Sequence, residues 1–177
     1  MIYPDLLATF PIISDQVDRA ELGVILRELE KKLARGEVGA VVEFGCYSGT
    51  TSLFIRRLMD HYALGNEFHV YDSFAGLPEK TTEDISVAGD QFRAGELTTS
   101  KKDFLMNFKK ASLAPPVMHK GWFTEVSPAS IPSGIMFAFL DGDYYRSIKD
   151  SFRLITPKLA PEAVIVVDDY MNEALPG

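Results

Sequence analysis

The sequence of 177 residues is short of several things, and each shortage removes a class of function. Its one cysteine, Cys46, excludes an intramolecular disulfide and a thiolate metal cluster, and predicts a protein of the reducing cytoplasm. No stretch approaches the roughly 20 consecutive apolar residues that cross a bilayer, so no membrane partner is expected. Bases are outnumbered, 18 Lys and Arg against 25 Asp and Glu, for a net charge of −7. Phosphate backbones are held by clustered Lys and Arg, so a nucleic-acid partner is not expected either, and a small molecule is the better default. The opening MIYPDLLATFPIISD has no basic lead, carries Asp5 and is interrupted by Pro4 and Pro11, and does not read as a secretory signal. The dinucleotide fingerprint G-x-G-x-x-G is absent, which disfavours a nicotinamide-dependent oxidoreductase.

What is present suffices for one packed core. Hydrophobic residues make up 46 % of the chain and charged ones 24 %, and the length fits a single domain over 1–177. Residues 1–39 read as an N-terminal helical segment: from Ser14 onward Leu22, Ile25, Leu26, Leu29 and Leu33 fall on one face, and Gly36 and Gly39 end the pattern. The apolar residues 1–15 suit packing against a neighbouring subunit, so a homo-oligomer is a candidate state. Over 40–170 strand and helix alternate. Apolar runs at 40–44, 68–71, 116–119, 136–140 and 163–167 read as strands, and helical periods lie between them from about Thr50, from Ser100 and after Asp143. This order predicts an α/β fold, a parallel sheet with helices on both faces. Residues 75–99 show no sustained period, and a loop that long is either a lid over a site or an insertion without a role.

Carboxylates sit where the strands end. Glu43, Asp72, Asp141, Asp143, Asp168 and Asp169 all fall at the carboxyl edge of the predicted sheet, the edge where open α/β sheets bind ligands. Each alone is equally a turn or cap residue; six together argue for a site. Glu43-Phe44-Gly45-Cys46-Tyr47-Ser48-Gly49 runs from a strand through a glycine turn into a helix, and Asp72, ending the next strand, is placed to accept ribose hydroxyls. The pair points to an adenosine-containing ligand. Asp141-Gly142-Asp143 and Asp168-Asp169 fall on adjacent strands, and four crowded carboxylates call for a cation. Oxygen-only ligands favour Mg²⁺ over Zn²⁺. Asp143 and Asp169 are the two of the four best suited to capping helices instead.

These residues carry a resemblance. VVEFGCYSGTTS, VYDSFAGLPE, HKGWFTEVSP and, most specifically, FAFLDGDYYRSIKDSFRLITPKLAPEAVIVVDDY occur in the order found in the macrocin O-methyltransferase (TylF-like) family of class I S-adenosylmethionine-dependent methyltransferases, which the chain resembles over 41–170. The resemblance implies a Rossmann-like methyltransferase sheet and O-methylation of a hydroxyl on a sugar or other small molecule, with S-adenosyl-L-methionine as cosubstrate and Mg²⁺ as cofactor. It implies that Glu43, Gly45, Tyr47, Ser48 and Gly49 line the methionine part of the cofactor, that Asp72 and Ser73 hold the ribose, and that Gly121 and Trp122 lie toward the adenine. Trp122 reads equally well as a core residue. It further implies Asp141, Asp168 and Asp169 as metal ligands and Asp143 as the general base. Two departures stand out: Pro161-Glu162-Ala163 replaces the family's glycine pair before the fifth strand, and the residues given stop at Gly177, before the helix and antiparallel hairpin usual in the class. The second motivates an alternative expectation, a non-catalytic S-adenosylmethionine or nucleotide-binding module without its acceptor part.

Overall fold

A computed structural model describes residues 1–177. Its elements are α1 (Tyr3–Thr9), α2 (Arg19–Ala34), β1 (Ala40–Phe44), α3 (Thr50–Tyr62), β2 (Phe68–Asp72), α4 (Lys101–Lys110), β3 (Val117–Lys120), β4 (Ile135–Leu140), α5 (Tyr145–Ile155) and β5 (Leu159–Val167). The strands form one sheet in the order β3-β2-β1-β4-β5, every neighbouring pair parallel. Strand order reverses between β1 and β4, so their carboxyl ends bound the crevice that such sheets offer to ligands. Both are buried at every position, as continuous apolar runs covered on both faces must be. The predicted architecture is the one observed.

The N-terminal segment differs in detail. Pro4 interrupts nothing; it lies in the first turn of α1, where its missing N–H is no loss. The second helix starts at Arg19 rather than Ser14 because Asp18 caps it: the Asp18 carboxylate accepts from Ala20 N and Glu21 N while Glu21 reaches back to Asp18 N at 2.6 Å. Most apolar side chains of 1–15 pack within the chain, with Met1 and Ile13 exposed. Ile2, Tyr3, Leu6, Leu7, Phe10 and Ile12 lie on the main core, and buried Glu30 accepts from the Ile2 and Tyr3 amides and from the Tyr62 hydroxyl. No helix is long and apolar enough to cross a membrane.

At the other edge, β5 begins at Leu159, earlier than the apolar run suggested, and its pairing with β4 shifts register between Leu159 and Val164. The shift places Glu162 at φ +59°, a conformation in which glycine is unstrained, where the resembling family has its glycine pair. The Lys32 ammonium donates to the Glu162 carbonyl at 2.9 Å and fixes the bend. Residues 75–99 hold one short 3-10 turn, Thr82–Asp84, and otherwise fold back over the carboxyl edge. Leu77 exchanges 2.9 Å backbone bonds with Glu96 and Gly95, and Leu77, Phe92 and Leu97 pack with Tyr144 and Leu175 in a small third core.

Candidate active site

The carboxyl ends of β1, β2, β4 and β5 surround a cleft of about 320 Å³. Asp15, Glu21, Asp72, Asp141, Asp143, Asp168 and Asp169 line it, and no Lys, Arg or His does. A wall of this sign without a compensating base is an electrostatic demand for cations.

On the β1–β2 side the acid that faces the cleft, Asp72, is satisfied. The Asp72 carboxylate accepts from the backbone N–H groups of Cys46 at 2.8 Å, Tyr47 at 3.1 Å and Phe74 at 2.7 Å, so it organises the glycine turn as well as facing the cleft. Ser73 closes a local turn, donating to the Gly76 carbonyl at 2.9 Å and accepting from Ala75 N at 3.0 Å. Glu43 is fully buried at the base of the turn. Its Oε2 accepts from the Ser52 hydroxyl, Oε1 has no partner, and burial pushes its carboxyl up to about 8 against the lowering effect of Ser52. Glu43, Tyr47 and Ser48 do not reach the main cleft; they border a recess of about 20 Å³ beneath it, together with Gly45 and Asp141. Gly45 is needed for the chain itself: at φ +86°, a Cβ there would collide with the Asp141 carbonyl oxygen. Gly49, also in the left-handed region, makes room for the Phe104 ring and borders neither cavity. The Cys46 thiol is buried, and desolvation followed by Asp72 and Glu43 holds its pKa well above the ordinary value, so it is an inert turn residue.

On the β4–β5 side the acids lack partners of opposite charge. Carboxylate oxygens of Asp141, Asp143 and Asp169 lie within 4.8 Å of one another. Asp168 lines the same cleft but its carboxylate is outside that group. Burial, then the neighbouring Asp168, Asp143, Asp169 and Glu43, hold the Asp141 carboxyl well above the usual carboxylate range. Burial with Asp169 and Asp168 pushes Asp143 up to about 7, and burial with Asp169 and Glu21 pushes Asp168 up to about 6. Asp143 and Asp169, the two acids best suited to capping, do not cap: the N-cap of α5 is Tyr144. Both adopt the left-handed conformation instead, at φ +57° and +55°, which Asp tolerates better than most residues.

Gly121 lies outside the cleft; its N–H extends the ladder to the Asp72 carbonyl at 3.0 Å. Trp122 is half-buried and lines the cleft, so it is a wall residue and not a core one. Sequence reasoning missed Asp15, Gln16 and Glu21 from the N-terminal segment, Gln91, Phe92 and Leu97 from the long loop, and Asn172, all of which line the cleft. Only the length of the 75–99 segment signalled any of them.

A family model for macrocin-O-methyltransferase (TylF) matches residues 17–175. The chain belongs to this family. Among curated relatives, 8-demethyl-8-(2,3-dimethoxy-alpha-L-rhamnosyl)-tetracenomycin-C 4'-O-methyltransferase of Streptomyces olivaceus is 29 % identical over 152 residues, covering 82 % of this chain and 58 % of the relative. Mycinamicin III 3''-O-methyltransferase of Micromonospora griseorubida is 28 % identical over 150 residues, covering 80 % of this chain and 59 % of the relative. The chain thus spans somewhat under three-fifths of the length of these relatives. The solved O-methyltransferase NovP superposes with a TM-score of 0.73 at 24 % identity, covering 86 % of this chain and 65 % of that one. The calicheamicin methyltransferase CalS11 superposes with a TM-score of 0.72 at 20 % identity, covering 99 % and 78 %. At these identities the two structures establish the fold of this TylF-family chain, a Rossmann-like class I methyltransferase sheet flanked by helices.

Proposed function

We propose that this protein is an S-adenosylmethionine-dependent, Mg²⁺-dependent O-methyltransferase acting on a hydroxyl of a sugar-bearing small molecule. The observation that carries the reading is the base-free acidic cleft at the reversal point of a TylF-family sheet, since both groups it must accept are cationic: a sulfonium and a divalent ion. The tetracenomycin relative is named as the 4'-O-methyltransferase of a rhamnosyl-bearing compound, which supports a sugar hydroxyl as acceptor.

Methyl transfer from a sulfonium is an in-line displacement with an activated leaving group, so the protein mainly aligns donor and acceptor. The glycine turn, with Glu43 buried at its base, borders the methionine end, Asp72 and Ser73 the ribose, and Trp122 the adenine. The donor set on the other wall fits a hard divalent ion: oxygen-only, crowded, raised in pKa and without a neighbouring base. Asp141 and Asp169 of the close group would hold it, joined by Asp168 from the same wall, and when bound it would supply Lewis-acid polarisation of an acceptor hydroxyl. Asp143, on the same wall, is placed to take the acceptor's proton. The test is transfer of labelled methyl from S-adenosylmethionine to a panel of glycosides with Mg²⁺ or with a chelator. Transfer that requires Mg²⁺ is expected. Equal transfer in chelator overturns the metal assignment, and cofactor binding without transfer to any acceptor favours a binding module.

A further inference from the structure

The long loop grips the acidic turn through one buried carboxylate. Asp84, in the middle of the 75–99 loop and 2 % exposed, has both oxygens engaged in opposite directions. Its Oδ2 accepts from the Thr81 amide at 2.7 Å and the Thr81 hydroxyl at 2.8 Å, which closes the loop on itself. Its Oδ1 accepts from the backbone N–H of Tyr145 at 2.7 Å, the first residue of α5. That helix needs an outside acceptor, because its own N-cap residue, Tyr144, offers no side-chain oxygen to it. A carboxylate at this end of a helix is also favoured by the helix dipole.

The contact lies two residues from Asp143. Tyr144 N donates to the Gly142 carbonyl at 2.6 Å across a tight turn, and this turn holds Asp143 at φ +57°. A non-glycine residue persists there only when its surroundings over-determine it. On one side the surroundings are Gly142 packed against Ser147, with no room for a Cβ. On the other they are the loop: Leu77, Phe92 and Leu97 enclose the buried Tyr144 ring, and Asp84 fixes the Tyr145 amide. The two residues following Asp143 are therefore both held by residues 75–99.

We propose that Asp84 is a positioning residue for the methyl transfer: it couples the conformation of the 75–99 loop to the placement of the Asp143 carboxylate. The proposal rests on the methyltransferase reading for its kinetic consequence, and on the Asp84–Tyr145 contact alone for its structural one. It makes the loop part of the catalytic apparatus without giving Asp84 any contact with substrate.

The test combines kinetics with amide hydrogen exchange. With methyl rhamnoside and catechol as vicinal-diol acceptors, Asp84→Ala is expected to lower kcat by about 30-fold or more while leaving the dissociation constant for S-adenosylmethionine within about twofold. Asp84→Asn keeps the Oδ1 acceptor for the Tyr145 amide but turns an NH2 toward the Thr81 N–H, so it keeps the helix side and loses the loop side, and its kcat is expected to fall between those of the Ala variant and the parent. Exchange at the Tyr145 amide is expected to quicken about tenfold or more in Asp84→Ala and to stay slow in Asp84→Asn. An unchanged kcat per folded molecule in Asp84→Ala, or an Asn variant as impaired as the Ala one, overturns the proposal. If Asp84→Ala does not fold, Thr81→Val removes the hydroxyl bond of the loop side while the Thr81 amide still donates to Oδ2; a smaller fall in kcat is expected, and an unaltered kcat there overturns the proposal as well. If the parent transfers no methyl group to either acceptor, the functional reading fails, and the coupling is then decided by Tyr145 exchange: fast exchange in the parent, or equal rates in parent and Asn and Ala variants, overturns it.

Discussion

The two walls of the cleft contain the same kind of residue in opposite states. On the β1–β2 side Asp72 accepts three backbone N–H groups, and its charge is answered by the chain before any ligand arrives. On the β4–β5 side Asp141, Asp143 and Asp168 have no basic partner and are raised in pKa by desolvation and by one another. Carboxylates that complete backbone hydrogen bonds stabilise a fold, whereas unpartnered carboxylates held together weaken it and gain only when a cation arrives. The difference teaches which acids the fold itself uses and which it leaves without a base. It also makes opposite forecasts for the same type of substitution.

The largest effect is expected on the β4–β5 side and in activity. Asp141→Ala and Asp168→Ala should each reduce Mg²⁺-dependent methyl transfer by about 10³-fold or more, about 4 kcal/mol in barrier, with S-adenosylmethionine binding still measurable by calorimetry. Neither should lower the melting temperature in chelator, since each removes a repulsion. Asp72→Ala should do the reverse first: three N–H groups lose their acceptor, so chemical denaturation should show a loss of about 3 kcal/mol. A melting temperature unchanged in Asp72→Ala would erase the contrast between the walls.

A smaller effect separates the walls by pH. Asp143 and Asp168 have folded-state values raised to about 7 and about 6, so the protonated forms favour the fold. Their contribution is complete below about pH 4, the unfolded value, and is lost as pH rises through 6 and 7. In chelator the melting temperature should therefore fall between pH 5 and pH 8, and Mg²⁺ should restore about 5 °C at pH 8 but little at pH 5. A Mg²⁺ effect equal at both pH values would count against these acids as its site. The smallest expected change is Glu43→Gln. With its carboxyl raised to about 8, Glu43 is largely neutral at pH 7, so the amide should alter stability by less than about 1 kcal/mol there and become the more stable variant above pH 8.

Much of this arrangement is legible in the sequence. The apolar runs ending in acids place Glu43, Asp72, Asp141 and Asp168 at one edge, because buried parallel strands read as continuous hydrophobic segments and their ends are marked by glycine or acid turns. The conformation of Asp143 and Asp169 was not legible, since a short polar residue after a strand has the same local signature whether it caps a helix or takes the left-handed region. Trp122 could be read as core because its size and hydrophobicity say nothing of which side faces a cleft. Gln91, Phe92, Leu97 and Asn172 come to the site through tertiary folding of irregular segments, which no period encodes.

The close passage of Gly45 against the Asp141 carbonyl links the two walls mechanically, and the Asp141 amide donates to the Phe44 carbonyl at 2.8 Å beside it. A side chain at position 45 would displace the backbone that carries the first acid of the opposite wall. The two walls of the cleft are thus bound to vary together, as a key and its lock are cut from one blank. Gln91 lines the cleft outside that interlock and outside the packing of Phe92 and Leu97 on Tyr144, so it is the position where the shape of the cleft can be varied by itself.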